Sequence, residues 1–553
     1  MNKPWRQYGV LVLLLVAALS PIAFLGLDFT DFGFHFMVQT TVFEPSLFFY
    51  LSAYTWLSNL VPGLLISTTK SFLLFKVLGV ATWIALAVAF CRWLGRLLGT
   101  LSSGSHDGLL LVWCIFPAIL VSTKSITAGA LIIPDYYTMA LLPVVWLVFS
   151  TIESGQDMRS SRRRALIFFV LCLLPMLRWP LLLVSIAGAA VLTFEMRSNG
   201  RRYLMAIPAA MILILVLYKA YFLDVFTPRI STPGHGVQQL LQLYWGETRR
   251  LLVASAEVLV VALLLKGVFQ LPGLRSRSAL LPIAIFAYLA WRDFWTSMSI
   301  TLNQQVVLVS SGFLIFYVWK NRHATSVDLL TRYLAASLLC IGFYPLGSDT
   351  GLIKMGYLSF LVSAPALFLL AKGFSKSWQR AGLVGVASVA AILYLYSSLY
   401  RDDISELIRE PALVRDDVLG VVLTTSSNRK TLEQFKSIAV QVESTSDHIL
   451  VAPYGPLLGA YLERFYIRMS WPEIKSAAAV ESEIKMLCSS GKKSVLILSK
   501  VNFTSIKREL VDPNEISSLP KIWKQYCGSD LVAENELFFV LGDKARHSSA
   551  ATR

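Results

Sequence analysis

Residues 3–35 read KPWRQYGVLVLLLVAALSPIAFLGLDFTDFGFH, and they contain the pattern that decides the fold. The basic residues Lys3 and Arg6 precede an uncharged apolar run from Tyr8 to Leu27, and acidic residues follow that run. An apolar helix of about 20 residues crosses the hydrocarbon core of a bilayer, and its basic end stays in the cytoplasm. Because no persuasive small-residue cleavage site follows, we predict a retained first membrane span that places the acidic residues outside.

The same alternation of apolar runs and basic gaps extends through most of the chain. Each apolar run, of roughly 15–22 residues, suits one membrane crossing. Clusters of Lys and Arg, such as Arg162-Arg163-Arg164, occupy every second gap. Of the 553 residues, 55% are hydrophobic and 15% are charged, against about 25% charged in soluble domains. These patterns predict a polytopic α-helical membrane protein with about 13 transmembrane helices and a cytoplasmic amino terminus.

The net charge of +16 has the same origin. The basic residues lie in the gaps between helices, and they form no stripe with interleaved aromatic residues of the kind that binds nucleic acid. The positive-inside rule accounts for them. We therefore predict contacts with membrane lipids and no nucleic-acid partner.

Residues 1–400 form the predicted transmembrane domain, and three segments interrupt its regular spans. Residues 28–70 predict a first external loop with two helices lying at the membrane interface, Phe32–Phe43 and Leu47–Leu65. At Arg178-Trp179-Pro180, a charge and a proline break a long apolar run into two short spans that meet at an external tip. A further external loop is predicted from Leu223 to about Arg250.

From about residue 401 the composition is that of a soluble domain. Helix and strand patterns predict a small α/β domain over residues 401–543, followed by a disordered tail, 544–553. No glycine-rich phosphate loop follows its strands, so nucleotide binding is not expected. For Cys488 and Cys527, a disulfide and two separate thiols are both compatible with the sequence. The predicted elements are a helix at Thr431–Glu443 and strands at His448–Pro453, Ser494–Ser499 and Leu537–Leu541.

Charged and polar residues accumulate at the predicted external ends of the spans, and they make up the candidate site. Each alone suits a solvated membrane end, but several acids beside Arg and Lys on one face favour a site for an anion. Among them, Asp31 and Asp135 each directly follow a predicted span, whereas Asp28 is expected to be a solvated helix end. The candidate substrate-binding residues are His35, Tyr136, Arg178, His235, Arg292, Asp349 and Lys354.

Several short motifs in these segments share a pattern with one known superfamily. An acid directly after the first span, in Asp28-Phe-Thr-Asp31, precedes interfacial helices, and a second acid lies in Ile133-Pro-Asp135-Tyr-Tyr. A late external loop reads Pro345-Leu-Gly-Ser-Asp349-Thr-Gly351, and the tail contains Val451-Ala-Pro-Tyr-Gly-Pro456. Together these features resemble the GT-C integral membrane glycosyltransferases, which use polyprenyl-phosphate-linked sugars. Among them, the resemblance is to the bacterial protein mannosyltransferases and aminoarabinose transferases.

The resemblance implies a role for each part of the candidate site. Asp31 would be the base that deprotonates the acceptor hydroxyl, and Asp135 would orient Asp31 or the acceptor, or hold a cation. The acid that often follows the first one in this superfamily is replaced here by Phe32. We therefore predict no metal or other cofactor, with a divalent cation as the alternative. The residues that would stabilise the leaving phosphate are Arg178, Arg292 and Lys354.

The predicted function is transfer of a sugar from a polyprenyl-phosphate donor to a lipid or polysaccharide acceptor. The resemblance implies an inverting hexosyl- or pentosyltransferase of the bacterial inner membrane, acting on its periplasmic face. One alternative is a transporter or flippase of a lipid-linked glycan, although no inverted repeat is visible and few charges lie inside the spans. The others are an O-antigen polymerase or ligase, which would normally rest on external arginines, and a non-catalytic scaffold.

Overall fold

The computed structural model describes the chain in blocks, and only these are discussed. They are residues 3–43, 56–99, 106–125, 129–130, 132–157, 161–178, 181–186, 237–269, 302–324, 326–345, 351–396, 404–452, 455–465, 477–503, 512, 518–528 and 530–542. The predicted features that lie outside the described residues are the span at Tyr203–Phe222, the span ending at Arg292, the residues His235 and Asp349, and the tail 544–553.

Helices dominate the chain up to residue 396. Their bounds are α1 (Lys3–Ala23), α2 (Asp31–Thr40), α3 (Trp56–Thr69), α4 (Phe72–Leu97), α5 (His106–Ser122), α6 (Tyr136–Asp157), α7 (Ser161–Leu177), α8 (Val237–Phe269), α9 (Leu302–Lys320), α10 (Ser326–Phe343), α11 (Phe360–Lys372) and α12 (Ser377–Tyr396). A short antiparallel hairpin of β1 (Lys124–Ser125) and β2 (Gly129–Ala130) follows α5. A 3-10 helix, Gly351–Leu358, directly precedes α11.

Several of the described helices have the length or the apolar composition of membrane spans. Three are long and apolar enough to cross a bilayer, at Arg6–Ala23, Phe72–Leu97 and Ser377–Tyr396. Shorter apolar helices lie at His106–Ser122, Tyr137–Ser150 and Phe360–Lys372. The chain is thus a membrane protein with a mainly helical described part, and the count of about 13 spans stays a prediction.

Helix α5 lies at the centre of the helical bundle. It contacts α1 and α4 on one side and α11 and α12 on the other. Its residues Leu111, Ile115 and Ile119, spaced one turn apart, are fully buried. Many other apolar residues of the bundle face outward, as expected where lipid rather than water covers the surface.

The prediction of an external loop from Leu223 to Arg250 is wrong for its second half. Helix α8 already begins at Val237 and continues to Phe269. Its polar residues suggested a loop, but Gln, Leu and Arg are good helix formers and no proline interrupts them. With 33 residues, α8 is about 50 Å long, so it extends well beyond the hydrocarbon core.

The C-terminal domain, residues 404–542 as described, is α/β, as the sequence predicts. A hairpin of β3 (Pro411–Asp416) and β4 (Gly420–Thr425) comes first. A four-stranded sheet follows, made of β5 (His448–Ala452), β6 (Ser494–Ser499), β7 (Asp530–Glu534) and β8 (Phe538–Gly542) in the order β5-β6-β8-β7, in which only β5 and β6 are parallel. The three predicted strands correspond to β5, β6 and β8. The bounds are α13 (Ile404–Arg409), β3 (Pro411–Asp416), β4 (Gly420–Thr425), α14 (Ser426–Glu443), β5 (His448–Ala452), a 3-10 helix (Pro456–Tyr461), α15 (Ala477–Ser489), β6 (Ser494–Ser499), α16 (Leu519–Tyr526), β7 (Asp530–Glu534) and β8 (Phe538–Gly542).

This domain is docked on the end of the bundle through backbone hydrogen bonds. The Gly26 amide donates to the Leu423 carbonyl at 2.9 Å, and the Leu423 amide donates to Phe24 at 2.7 Å. At the start of α4, the Phe72 amide donates to Val418 at 2.9 Å. Strand β4 thereby pairs with the segment that follows α1, through a parallel bridge between Leu25 and Leu423. The domain and the end of the bundle form one packed core.

Helix α2 lies between the bundle and this domain. Its Phe36 ring is 5.2 Å from that of Phe72 and 5.7 Å from that of Phe75, both on α4. On the domain side, a Cβ added at Gly33 would lie 2.5 Å from the Leu457 Cβ, so only glycine permits this approach. Helix α2 matches the first predicted interfacial helix, and the C-terminal domain covers it.

A disulfide joins Cys488 to Cys527, with the Cα atoms 5.4 Å apart and the residues 39 positions apart in sequence. Changing both residues to serine is expected to lower the free energy of unfolding of this domain by about 4 kcal/mol, the chain-entropy value for a loop of this length. Pulse proteolysis of the full chain in urea measures the change. Reducing agent should lower the free energy of unfolding of the wild-type protein by the same amount and leave that of the double variant unchanged. If neither the substitution nor the reducing agent lowered it, the expectation would be contradicted.

Candidate functional site

Arg178 is a buried cation at the end of the bundle near the C-terminal domain. Helix α7 ends at Leu177, where the Trp-Pro sequence predicts the break, and Arg178 is only 2% exposed. Its guanidinium carbon lies 4.4 Å from the Tyr137 ring centroid and 5.3 Å from that of Tyr344. Nη1 also donates a short hydrogen bond to the Tyr344 carbonyl oxygen. Stacking and hydrogen bonding together fix the direction of the guanidinium plane.

Lys354 reaches the same aromatic ring from a different segment. It lies in the 3-10 helix Gly351–Leu358, is half-buried, and has its Nζ 4.7 Å from the Tyr137 centroid and 5.2 Å from that of Tyr357. Nζ donates to the Tyr357 hydroxyl at 3.1 Å. The cationic centres of Arg178 and Lys354 therefore lie at most about 9 Å apart, the sum of their distances to the shared centroid. We call these two residues the cation pair.

Asp135 directly precedes helix α6 and lies two residues before Tyr137, whose ring both cations approach. It is 1% exposed. Its Oδ1 accepts hydrogen bonds from the Thr138 amide at 2.7 Å and the Thr138 hydroxyl at 3.0 Å, while the Asp135 amide donates to that hydroxyl at 2.9 Å. This reciprocal cap holds the acid in place. Tyr344, whose carbonyl accepts from Arg178, donates through its hydroxyl to the Tyr137 carbonyl, so Asp135 lies two residues from the ring that Arg178 and Lys354 share.

Tyrosines organise the cluster, and the sequence analysis did not identify them. The Tyr344 hydroxyl donates to the Tyr137 carbonyl at 2.6 Å, and the Tyr137 ring lies 5.5 Å from that of Tyr357. Each is next to a motif already singled out: Tyr137 follows Pro-Asp-Tyr, and Tyr344 precedes Pro345. Aromatic residues beside external charges were the available signal. Their faces bind cations in a site that also excludes water.

Gly79 sets the position of the segment that contains Asp135. A Cβ at Gly79 would lie 2.5 Å from the Ile133 Cα and would clash with the Ile132 carbonyl. Gly79→Ala is therefore expected to destabilise the fold by about 1–3 kcal/mol through overpacking against backbone. Thermal unfolding measures it. Gly9→Ala, in α1 with nothing within 4 Å of the added methyl, is the matched control and should leave the unfolding temperature unchanged or raised; equal effects would contradict the prediction.

Asp28 is buried, and the prediction of a solvated helix end is wrong. It is 0% exposed. Its Oδ1 accepts from the Thr30 amide at 2.8 Å and the Thr30 hydroxyl at 2.6 Å, and its Oδ2 accepts from the Phe32 amide at 3.4 Å. A carboxylate that binds the first amides of a helix is favoured there by the helix dipole. Asp28 therefore binds the N-cap residue Thr30 and the Phe32 amide in the first turn of α2, whose first residue is Asp31.

The other predicted site residues are distributed as follows. His35 lies half-buried in α2, its ring 5.6 Å from that of Phe34, and Tyr136 is the first residue of α6. The far end of α2 reaches the Asp135 segment, because Gln39 Nε2 donates to the Pro134 carbonyl at 2.7 Å. Asp31 lies two turns before Gln39 on α2, so the two residues are about 12 Å apart along the helix axis.

Helix α8 contacts the described segments that end at Pro345 and begin at Gly351. Glu247 accepts a short hydrogen bond from the Leu352 amide, and the Tyr244 hydroxyl donates to the Pro345 carbonyl. Neither residue was predicted, because α8 was read as a loop over this stretch. Within the described blocks, no group of three or more His, Cys, Asp or Glu side chains forms a metal site, and the absence of a cofactor stays a prediction.

No family model matches the sequence, and no curated protein matches it. Among solved structures, the chain is similar to the crystal structure of the Archaeoglobus fulgidus oligosaccharyltransferase in complex with zinc and sulfate. The similarity covers 89% of this chain and 68% of that one, at 11% sequence identity and a TM-score of 0.44. A likeness of this size carries no conclusion about family or chemistry, so the function is argued from the residues.

Proposed function

We propose that the chain is a glycosyltransferase that moves a sugar from a polyprenyl-phosphate donor to a lipid or polysaccharide acceptor. The observation that carries the proposal is the cation pair, in which Arg178 and Lys354 approach one tyrosine ring from separate segments. The buried Arg178 and the half-buried Lys354 are like charges that repel each other, and the phosphate of the donor, a monoanion as the diester and more negative once released, would offset that repulsion.

The chemistry needs positive charge where the leaving group forms. In the proposed reaction an acceptor hydroxyl oxygen attacks the anomeric carbon, and the bond between that carbon and the phosphate oxygen breaks. The negative charge that develops on the phosphate is stabilised by the cation pair, which is already oriented by Tyr137, Tyr344 and Tyr357. Attack opposite the leaving group inverts the anomeric configuration.

The proton of the acceptor hydroxyl needs a base. Asp31 is proposed for this role, with Asp135 orienting the acceptor beside the cation pair. Asp28 would then be a positioning residue, because its carboxylate binds Thr30 and the Phe32 amide at the start of the helix whose first residue is Asp31. In the proposed mechanism the cation pair, and not a divalent ion, supplies the positive charge that stabilises the leaving phosphate. The mechanism therefore uses no metal or other cofactor.

The reaction is proposed for the periplasmic face of a bacterial inner membrane. The basic clusters at alternate gaps favour a cytoplasmic amino terminus and an external C-terminal domain. The Cys488–Cys527 disulfide supports this side, because disulfides persist in the periplasm and are reduced in the cytosol. The donor would then enter from the outer leaflet.

Comparison of envelope glycans between a deletion strain and the strain complemented with the wild-type chain tests the proposal. We expect one sugar to be missing from a surface glycan or lipid in the deletion strain, with its polyprenyl-phosphate derivative accumulating in the outer leaflet, where periodate oxidises it in intact spheroplasts. Accumulation in the inner leaflet would identify a flippase instead. Loss of whole repeat units without loss of one sugar would identify a polymerase or ligase.

A further inference from the structure

Helix α2 carries a polar stripe that leads from the proposed base to the cation pair's neighbourhood. Asp31, His35 and Gln39 are spaced four apart, so they follow one another along one face of the helix. The neighbouring face carries Phe36, which packs on the rings of α4. Gln39 was not among the predicted site residues, although its spacing from the other two was visible in the sequence.

Gln39 is held at the end of this stripe in a fixed orientation. The side chain is 0% exposed, and its Nε2 donates to the Pro134 carbonyl oxygen at 2.7 Å. A carbonyl oxygen only accepts hydrogen bonds, so the amide nitrogen must face Pro134. The position of Oε1 follows from that bond. Pro134 directly precedes Asp135, so this amide lies next to the residue that borders the cation pair.

The Gln39 Oε1 atom is buried and has no hydrogen-bond partner in the described part of the chain. Buried polar atoms nearly always have partners, because an unsatisfied acceptor keeps its full desolvation cost. The missing partner must be a donor. An ionised phosphate oxygen only accepts, so it cannot fill this role, whereas a sugar hydroxyl can.

We infer that Gln39 Oε1 accepts a hydrogen bond from a hydroxyl group of the sugar carried by the donor lipid. The inference rests on the proposed function and divides the recognition of the donor in two. The cation pair binds the phosphate, which every polyprenyl-phosphate sugar shares. Gln39 binds the sugar and therefore determines which donor sugar is preferred. A sugar without the matching hydroxyl leaves the buried Gln39 oxygen without a partner, which lowers its affinity strongly.

The test measures lipid binding to the purified full chain in nanodiscs. The probes are undecaprenyl phosphate and its glucose, galactose and mannose derivatives. The variants are Gln39→Met, which keeps the volume and removes the amide, and Gln7→Met as the matched control. Gln7 also has a buried amide oxygen without a partner among the described residues, and it lies near the start of α1, at the opposite end of the bundle.

We expect the wild-type chain to bind one sugar derivative at least about tenfold more tightly than bare undecaprenyl phosphate. Gln39→Met should remove that preference and leave the affinity for bare undecaprenyl phosphate within twofold, while Gln7→Met should change neither. An unchanged preference in Gln39→Met, or an equal loss of affinity for the bare and the sugar-bearing lipids, would overturn the inference and leave the proposed function standing. Binding of none of the four lipids by the wild-type chain would overturn the proposed function, and this inference with it.

Discussion

Arg178→Lys is expected to slow sugar transfer about a hundredfold, the usual cost of losing one oriented donor at a developing oxyanion. Lysine keeps the charge but lacks the planar group that both stacks on Tyr137 and donates to the Tyr344 carbonyl. The positive charge at position 178 would then no longer be held in a fixed orientation toward the phosphate. The rate at which membranes convert the lipid-linked donor to polyprenyl phosphate measures the effect, at matched amounts of protein.

A matched variant separates this effect from general damage to the fold. Arg380 also donates to a backbone carbonyl, that of Phe374 at 2.8 Å, near the start of α12 and away from the site. Arg380→Lys should leave the transfer rate within twofold. If Arg178→Lys retained the wild-type rate, or if both variants lost it equally, the phosphate-binding role of the cation pair would be wrong.

Asp135→Asn is expected to lower the transfer rate by about a hundredfold while leaving the unfolding temperature unchanged. Asparagine keeps the oxygen that accepts from the Thr138 amide, so the cap of α6 survives. What it removes is the negative charge near Arg178 and Tyr344. The readouts are the transfer rate and thermal unfolding of the same preparation.

Asp107→Asn provides the control for loss of a carboxylate. Asp107 pairs with Lys372 at 2.9 Å at the start of α5, the end of the bundle away from the site. Surface pairs of this kind contribute little to stability, so neither readout should change. If the Asp135→Asn variant transferred sugar at the wild-type rate, the role of Asp135 would be limited to capping α6.

Much of the architecture could be predicted because the bilayer imposes a strong pattern. The apolar run from Tyr8 to Leu27 predicts α1, and the charge and proline at Arg178-Trp179-Pro180 predict the end of α7. Strands β5 and β6 were predictable because both are buried on their two faces and read as continuous apolar runs. Strand β3, whose side chains alternate between buried and exposed and include charges, gave a weaker pattern.

The candidate site was predictable in its charges and not in its contacts. Arg178, Lys354 and Asp135 could be singled out because acids beside Arg and Lys accumulate on the predicted external face. Their meeting at Tyr137 depends on how α6, α7 and the 3-10 helix pack, which no single segment encodes. Asp28 was misassigned for the same reason: a carboxylate near a helix start is either solvated or buried against that helix's own amides, and the surrounding packing decides which.

The docking of the C-terminal domain on the end of the bundle also lay beyond sequence reasoning. The contacts are backbone hydrogen bonds, such as Gly26 to Leu423, which carry no side-chain signature. These hydrogen bonds matter for the proposed function because they hold the domain that covers α2, the helix that begins at Asp31. The domain therefore belongs to the surroundings of the proposed base.

The most direct test of the central claim is the envelope glycan of a deletion strain complemented with Asp31→Asn at wild-type membrane levels. Asparagine keeps the size of the side chain and removes its basicity. The account predicts that this strain, like the deletion strain, lacks one sugar and accumulates its polyprenyl-phosphate derivative. A wild-type glycan in the Asp31→Asn strain, with the sugar missing only in the deletion strain, would contradict the assignment of Asp31 as the base and favour transport or scaffolding.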